Sequence, residues 1–196
     1  MSSNLLKIRS STFTSPELPP PISGWPTPWL DIHEVEHYLL PILRDHQWRV
    51  NFVTKAQRPV PTLEKRYNFN KGPSALTFMR DVIDIANAEN HHPTSLQYGE
   101  DSPHVSLGIR THSAKIPPPV MTYLLDHIRP ETDPPTKSRY QGITLRDIRF
   151  ALLVDQCFET YHKNGDAGVL DVDASSNEVP PFTEVEPLLR HLLSHL

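Results

Sequence analysis

Cysteine is almost missing from this sequence. Cys157 is the only one in 196 residues, so no disulfide can form within the chain, which fits a reducing compartment. Glycine is also scarce, at 7 residues. No phosphate-binding glycine loop, dinucleotide fingerprint or serine-nucleophile elbow is present. The familiar zinc spacings are absent as well. No apolar run approaches the ~20 residues needed to span a bilayer. Charge of either sign is modest: 19 Lys and Arg against 23 Asp and Glu give a net charge of -4. That balance gives no general reason to expect nucleic acid or a membrane surface as a partner. No internal repeat of the solenoid kind is visible.

Proline, by contrast, is abundant at 21 residues, and only 37% of residues are hydrophobic. One domain with segments outside its core is the expected organisation. Residues 1–28 read as a disordered tail, because Pro16, Pro19, Pro20, Pro21, Pro26 and Pro28 deny it regular hydrogen bonding. Residues 1–16 hold Lys7, Arg9 and several Ser and Thr, and no acid precedes Glu17. Such a composition is allowed for a mitochondrial presequence. The expected compartment is the cytoplasm, with the mitochondrion as the alternative.

The domain is expected over residues 29–163. A first helix is predicted from about Asp31 to Asp45, with Asp31 and Glu34 at capping-box spacing and Pro41 kinking or shortening it. Two strands follow, Trp48–Val53 and Leu63–Phe69. Ala75, Leu76, Met79, Val82, Ile83 and Ala86 recur at helical spacing between Gly72-Pro73 and Asn90. A short strand around Ser95–Tyr98 and a longer one, His104–His112, come next. In the longer strand Val105, Leu107 and Ile109 share one face, while Ser106, Arg110 and His112 share the other. Residues 113–141 are proline-rich and read as an insertion. Thr144 then starts a third helix, with Asp147 at capping spacing. Residues 164–196 read as a linker and a C-terminal amphipathic segment, Val185–Leu196. The order helix, strand, strand, helix, strand, strand, helix predicts an α+β fold: a four-stranded antiparallel sheet with three helices packed on one face.

The chemistry-bearing feature is Asn90-His91-His92-Pro93, followed by a strand ending in a third histidine, His112. Three imidazoles without a cysteine or carboxylate trio suggest proton transfer more than metal binding. Adjacent histidines in an extended segment point to opposite sides, which makes chelation by both awkward, so no metal is expected. Pro93 stops the helix and biases His92 to an extended conformation. Of the other histidines, His104 reads as an edge or turn residue. His33, His37, His46, His127, His162, His191 and His195 read as surface residues. Trp48 and Cys157 read as packing residues.

These pieces resemble the pterin-4a-carbinolamine dehydratases over about residues 30–162, interrupted by the insertion. The resemblance rests on Leu39-Leu40-Pro-Ile-Leu43 leading to Trp48, on Lys65-Arg-Tyr67-Asn-Phe69, and on Ala75 with Phe78-Met79 and Val82. His91-His92-Pro93, Thr111-His112, and Gly142-Ile-Thr144 with Asp147-Ile148 and Ala151 complete it. It departs from the family at Asn87, where an acid is usual, and at Tyr98, which comes one residue early. The resemblance implies dehydration of 4a-hydroxytetrahydropterins to quinonoid dihydropterin and water. It also implies no metal or organic cofactor, the pterin being the substrate, and assembly as a homo-oligomeric dimer or tetramer. It assigns His91, His92 and His112 to catalysis, with His92 as base at the ring nitrogen. Pro93, Thr111 and Glu89 are implied as substrate contacts. An imidazole with a pKa near ~6.5 can serve as acid or base at neutral pH. The alternative is a non-catalytic relative that serves as a binding or assembly partner.

Overall fold

The computed structural model describes residues 17–55, 58–99, 102–115 and 139–168. Features expected at residues 1–16, in the middle of the insertion and at Val185–Leu196 lie outside the described residues.

The first helix opens as its spacing predicts. Asp31 N–H donates to Glu34 Oε2 (2.9 Å) and Glu34 N–H donates to Asp31 Oδ1 (2.8 Å), a reciprocal capping box. This helix, α1, comprises Ile32–Glu34, a π-helical turn Val35–Leu39, and Leu40–Asp45. Pro41 has no N–H to donate and its ring crowds the preceding turn. The wider turn before it, closed by Leu40 N–H on the Val35 carbonyl, admits the ring without ending the helix.

Strands β2 (Arg49–Lys55) and β3 (Arg58–Asn68) follow, then helix α2 (Gly72–Glu89), β4 (Ser95–Gly99) and β5 (His104–Ile109). They form a four-stranded sheet in the order β2-β3-β5-β4, antiparallel throughout. Helix α3 (Leu145–Lys163) closes the domain. Leu63, Tyr67, Val105, Leu107 and Ile109 are buried with Phe78 and Val82 of α2 and Ile148 and Leu152 of α3. Each such side chain contributes ~1.5–3 kcal/mol by leaving water, so this layer fixes α2 and α3 on one face of the sheet. The α+β architecture is the expected one.

Period-2 alternation puts Lys65 on the same core-facing side as Leu63 and Tyr67. Its ammonium is satisfied by Asp155 of α3 at 2.7 Å. Asp155 also accepts from the Tyr67 hydroxyl (2.7 Å) and Trp48 Nε1 (2.9 Å), and lies 3.1 Å from His46 Nδ1. Trp48 is a core residue, as expected. His46 is not the plain surface residue the sequence suggests: it closes the open end of this network.

The structure adds a second sheet. The strand expected over 104–112 breaks at Arg110, and Thr111–Lys115 (β6) pairs instead with Thr27–Pro28 (β1) and Arg139–Gly142 (β7). Strand β1 runs parallel to β6, and β7 runs antiparallel to it with a bulge between Thr111 and Ala114. The chain changes sheets at Arg110 because its pairing partners change there: Ile109 is in register with Leu63, and Thr111 with Gly142. The insertion thus leaves and returns as paired strands.

Part of the segment read as tail packs on the domain. Pro19 and Thr27 are buried, and Leu18 lies against the core. Trp29 N–H donates to the Lys115 carbonyl (3.0 Å) and Leu30 N–H to the Ile143 carbonyl (3.2 Å). A Cβ at Gly142 would come 2.3 Å from the Trp29 ring, so glycine is what lets the indole seat there. Prolines bar these residues from a helix or a central strand, but an edge strand of two residues tolerates them. No helix among the described residues is long and apolar enough to cross a membrane.

Candidate active site

Helix α2 stops at Asn90, which adopts a left-handed conformation (φ 49°), one that Asn tolerates better than most residues. Asn90 N–H donates to the Asn87 carbonyl (3.3 Å) and His91 N–H to the Ala86 carbonyl (3.0 Å). This pairing is a Schellman motif, which satisfies the last carbonyls and turns the chain off the helix axis. Four residues later Thr94 N–H donates to the Gly108 carbonyl of β5 (2.8 Å). His91, His92 and Pro93 therefore lie on a short connector anchored at both ends. Successive side chains face opposite ways: His91 is buried, with 9% exposure, and His92 is exposed.

His91 Nε2 lies 2.8 Å from Asp147 Oδ1, and the imidazole meets the Phe150 ring edge-on at 5.9 Å. Asp147 is fully buried, at 0% exposure, in the first turn of α3. Its Oδ2 accepts from Thr144 N–H (2.7 Å), Thr144 Oγ1 (2.9 Å) and Thr111 Oγ1 (2.8 Å). The carboxylate thus gathers donors from three segments: the connector, β6 and the cap of α3. Hydrogen bonds to a charged group contribute ~1.5–3 kcal/mol each, and the helix N-terminus favours the negative charge. A carboxylate accepts, so Nε2 donates, and Nδ1 is the ring nitrogen left to take or give a proton.

The structure brings His91 and Thr111 together on one carboxylate. His112 follows Thr111 on β6 and is exposed; Pro93 is half-buried on the connector. Glu89, expected at the substrate, is bound within the protein: Arg149 Nε and Nη2 donate to its two oxygens at 2.8 and 3.0 Å. Sequence reasoning read Asp147 as a cap and missed its partnership with His91. The cap is real, with both arms of the box present. The available signal was the residue type. An Asp at this position caps with one oxygen while the other reaches a neighbour 56 positions away in sequence.

A cavity of about 250 Å³ opens beside His91, lined by Ala88, Glu89, Arg146, Arg149 and, from the N-terminal segment, Pro21 and Ile22. Among the described residues, no group of three or more His, Cys, Asp or Glu side chains is placed to hold a metal ion.

Residues 28–116 match the family model described as pterin 4 alpha carbinolamine dehydratase. Over these residues, just under half of the chain, the sequence is similar to that family. The match contains the histidine pair, Pro93, Thr111 and His112, and stops where the insertion leaves β6. The family implies a hydro-lyase acting on a pterin carbinolamine. Beyond the match, β7 and α3 complete the domain and supply Asp147. No curated protein matches the chain.

Proposed function

We propose that this protein dehydrates 4a-hydroxytetrahydrobiopterin to quinonoid dihydrobiopterin and water, recycling the tetrahydropterin cofactor, by histidine acid/base catalysis. The observation that carries the reading is the buried His91–Asp147 pair, 2.8 Å apart, inside a domain similar to this family. In the reaction the C–O bond at the 4a carbon breaks and the hydroxyl leaves as water after receiving a proton. The neighbouring ring nitrogen loses its proton, and its electron pair completes the new carbon–nitrogen double bond. One positioned proton-transfer group contributes ~10²–10⁴-fold.

His92 takes the proton from the ring nitrogen. His91, oriented by Asp147, protonates the 4a-hydroxyl, and His112 shares in orienting the substrate. Thr111 acts through Asp147, and Pro93 sets the direction of His92. Glu89 takes part through the cavity it lines. The pterin is the substrate, and no further cofactor or metal enters these steps. Assembly as a homo-oligomer, dimer or tetramer, belongs to the same reading.

The test is the dehydration rate of freshly generated 4a-hydroxytetrahydropterin, followed by stopped-flow absorbance with and without protein. A large acceleration that disappears in His92→Ala supports the enzyme and its base together. Acceleration retained in His92→Ala removes the base assignment. No acceleration from folded protein favours a non-catalytic scaffold.

A further inference from the structure

Arg149 joins two parts of the molecule that are far apart in sequence. Besides holding both Glu89 oxygens, it donates through Nη1 to the Pro19 carbonyl at 2.7 Å. Glu89 is the last residue of α2 and Pro19 lies in the N-terminal segment. The guanidinium fork is thereby spent on fixing that segment over the end of α2. Leu18 and Pro19 are anchored inward, and the next residues, Pro21 and Ile22, become walls of the cavity at His91. A few residues later the same segment pairs with β6 at Thr27 and Pro28. It is therefore fastened at two points, Pro19 and Thr27–Pro28, with Pro21 and Ile22 between them.

The cavity holds about 250 Å³, below the ~300–1,000 Å³ of pockets that enclose a whole small molecule. It suits part of a ligand. Its walls also divide: Pro21, Ile22 and Ala88 are apolar, while Arg146 and the Glu89–Arg149 pair are charged. Of the two arginines, Arg146 spends Nη2 on the Asn90 carbonyl (2.8 Å).

We infer that residues 18–22 are the size-selecting wall of the site. They are held in place by Arg149, and the cavity they close receives a substituent of the substrate ring beside His91. This rests on the pterin reading above. Arg149 and Ile22 are positioning and specificity residues, since neither acts on the reacting atoms.

The experiment compares kcat/KM for two 4a-hydroxytetrahydropterins, one with a methyl and one with a three-carbon substituent, in the full chain and two variants. Ile22→Ala enlarges the cavity and leaves the Arg149 contacts intact. Arg149→Ala releases the wall. In both, the ratio favouring the longer substrate rises about tenfold, the scale on which an apolar pocket discriminates by a methylene or two. Arg149→Lys restores part of the original ratio. An unchanged ratio in both variants, with wild-type turnover intact, overturns the inference and spares the pterin reading. If the wild type shows no turnover, the pterin reading falls, and access to His91 judges the wall alone. Carbethoxylation of His91, read by peptide mass, accelerates in Arg149→Ala if the segment closes the cavity. An equal rate in wild type and variant overturns that closure.

Discussion

Helix α3 carries two buried carboxylates, Asp147 and Asp155, two turns apart, and their partners differ in kind. Asp155 sits opposite Lys65, with side-chain exposures of 9% and 7%, and adds Tyr67, Trp48 and His46. The Lys65 ammonium offsets its charge, so the pair belongs to the core. Asp147 has two threonine hydroxyls, a backbone N–H and an imidazole. None of these brings a fixed positive charge. The nearby arginines are committed elsewhere, Arg146 to Asn90 and Arg149 to Glu89 and Pro19. The negative charge of Asp147 is left to His91, the one partner that can gain a proton. The same residue type on the same helix is thus a structural ion in one place and, in the function proposed above, a support for proton transfer in the other.

The comparison is broken most directly by exchanging the assay. Asp147→Asn keeps an acceptor for the cap but removes the charge behind His91, and turnover is expected to fall on the order of 10²-fold or more. Asp155→Asn, assayed identically on folded protein, is expected to keep turnover within a few-fold. Equal losses of turnover in the two variants would falsify the division of roles. The next largest effect is on stability. Asp155→Ala strands the Lys65 ammonium in the core, and unpairing a buried ion costs about 3–5 kcal/mol. Urea unfolding measures it. The double change Asp155→Leu with Lys65→Met should recover part of the loss, since no charge is then left without a partner, while the Tyr67 hydroxyl and Trp48 Nε1 still lack their acceptor.

Acid sharpens the same contrast. Burial alone would raise the Asp155 carboxyl, but the hydrogen bond from His46 and the charge and hydrogen bond of Lys65 outweigh it. Its pKa is lowered from the ordinary 3.8. A carboxyl lowered in the folded state stabilises fully above the unfolded value and loses that contribution as pH falls through the folded one. Wild type should therefore lose stability below about pH 4 by an increment that Asp155→Asn lacks. Parallel pH profiles for the two would remove Asp155 from the account. Burial pulls Lys65 down further than Asp155 raises it, which places the ammonium in a desolvated position where losing its partner is costly.

Much of this was legible in the sequence. Hydrophobic period located α2 and the core-facing side of β5, although Leu76 and Ile83 of the expected helical stripe are exposed. The capping spacings at Asp31 and Thr144 marked helix starts to the residue. The histidine connector stood out because Asn90 and Pro93 are local stop signals. Other features were hidden for physical reasons. Lys65 sits in a core-facing register that polar patterning assigns to solvent, and only its partner on α3 makes that tolerable. The second sheet was invisible because its strands are short and one contains proline, so neither period nor propensity marks them. The bond between His91 and Asp147 joins segments on either side of the insertion, and a residue already explained as a cap invites no second role.

The smallest expected effect tests how far the Asp147 cluster depends on each of its donors. Thr111 Oγ1 lies within hydrogen-bonding distance of both Asp147 Oδ2 and Thr144 Oγ1. Thr111→Val keeps the shape and removes the hydroxyl. Because Thr144 still supplies a backbone N–H and a hydroxyl to the same oxygen, the carboxylate is not stranded, and the stability loss should stay near ~1 kcal/mol. Turnover should fall less than in Asp147→Asn, since the charge behind His91 persists. If Thr111→Val were instead as damaging to turnover as Asp147→Asn, the hydroxyl rather than the charge would be what orients the imidazole. Asp147 would then resemble Asp155 in being chiefly structural.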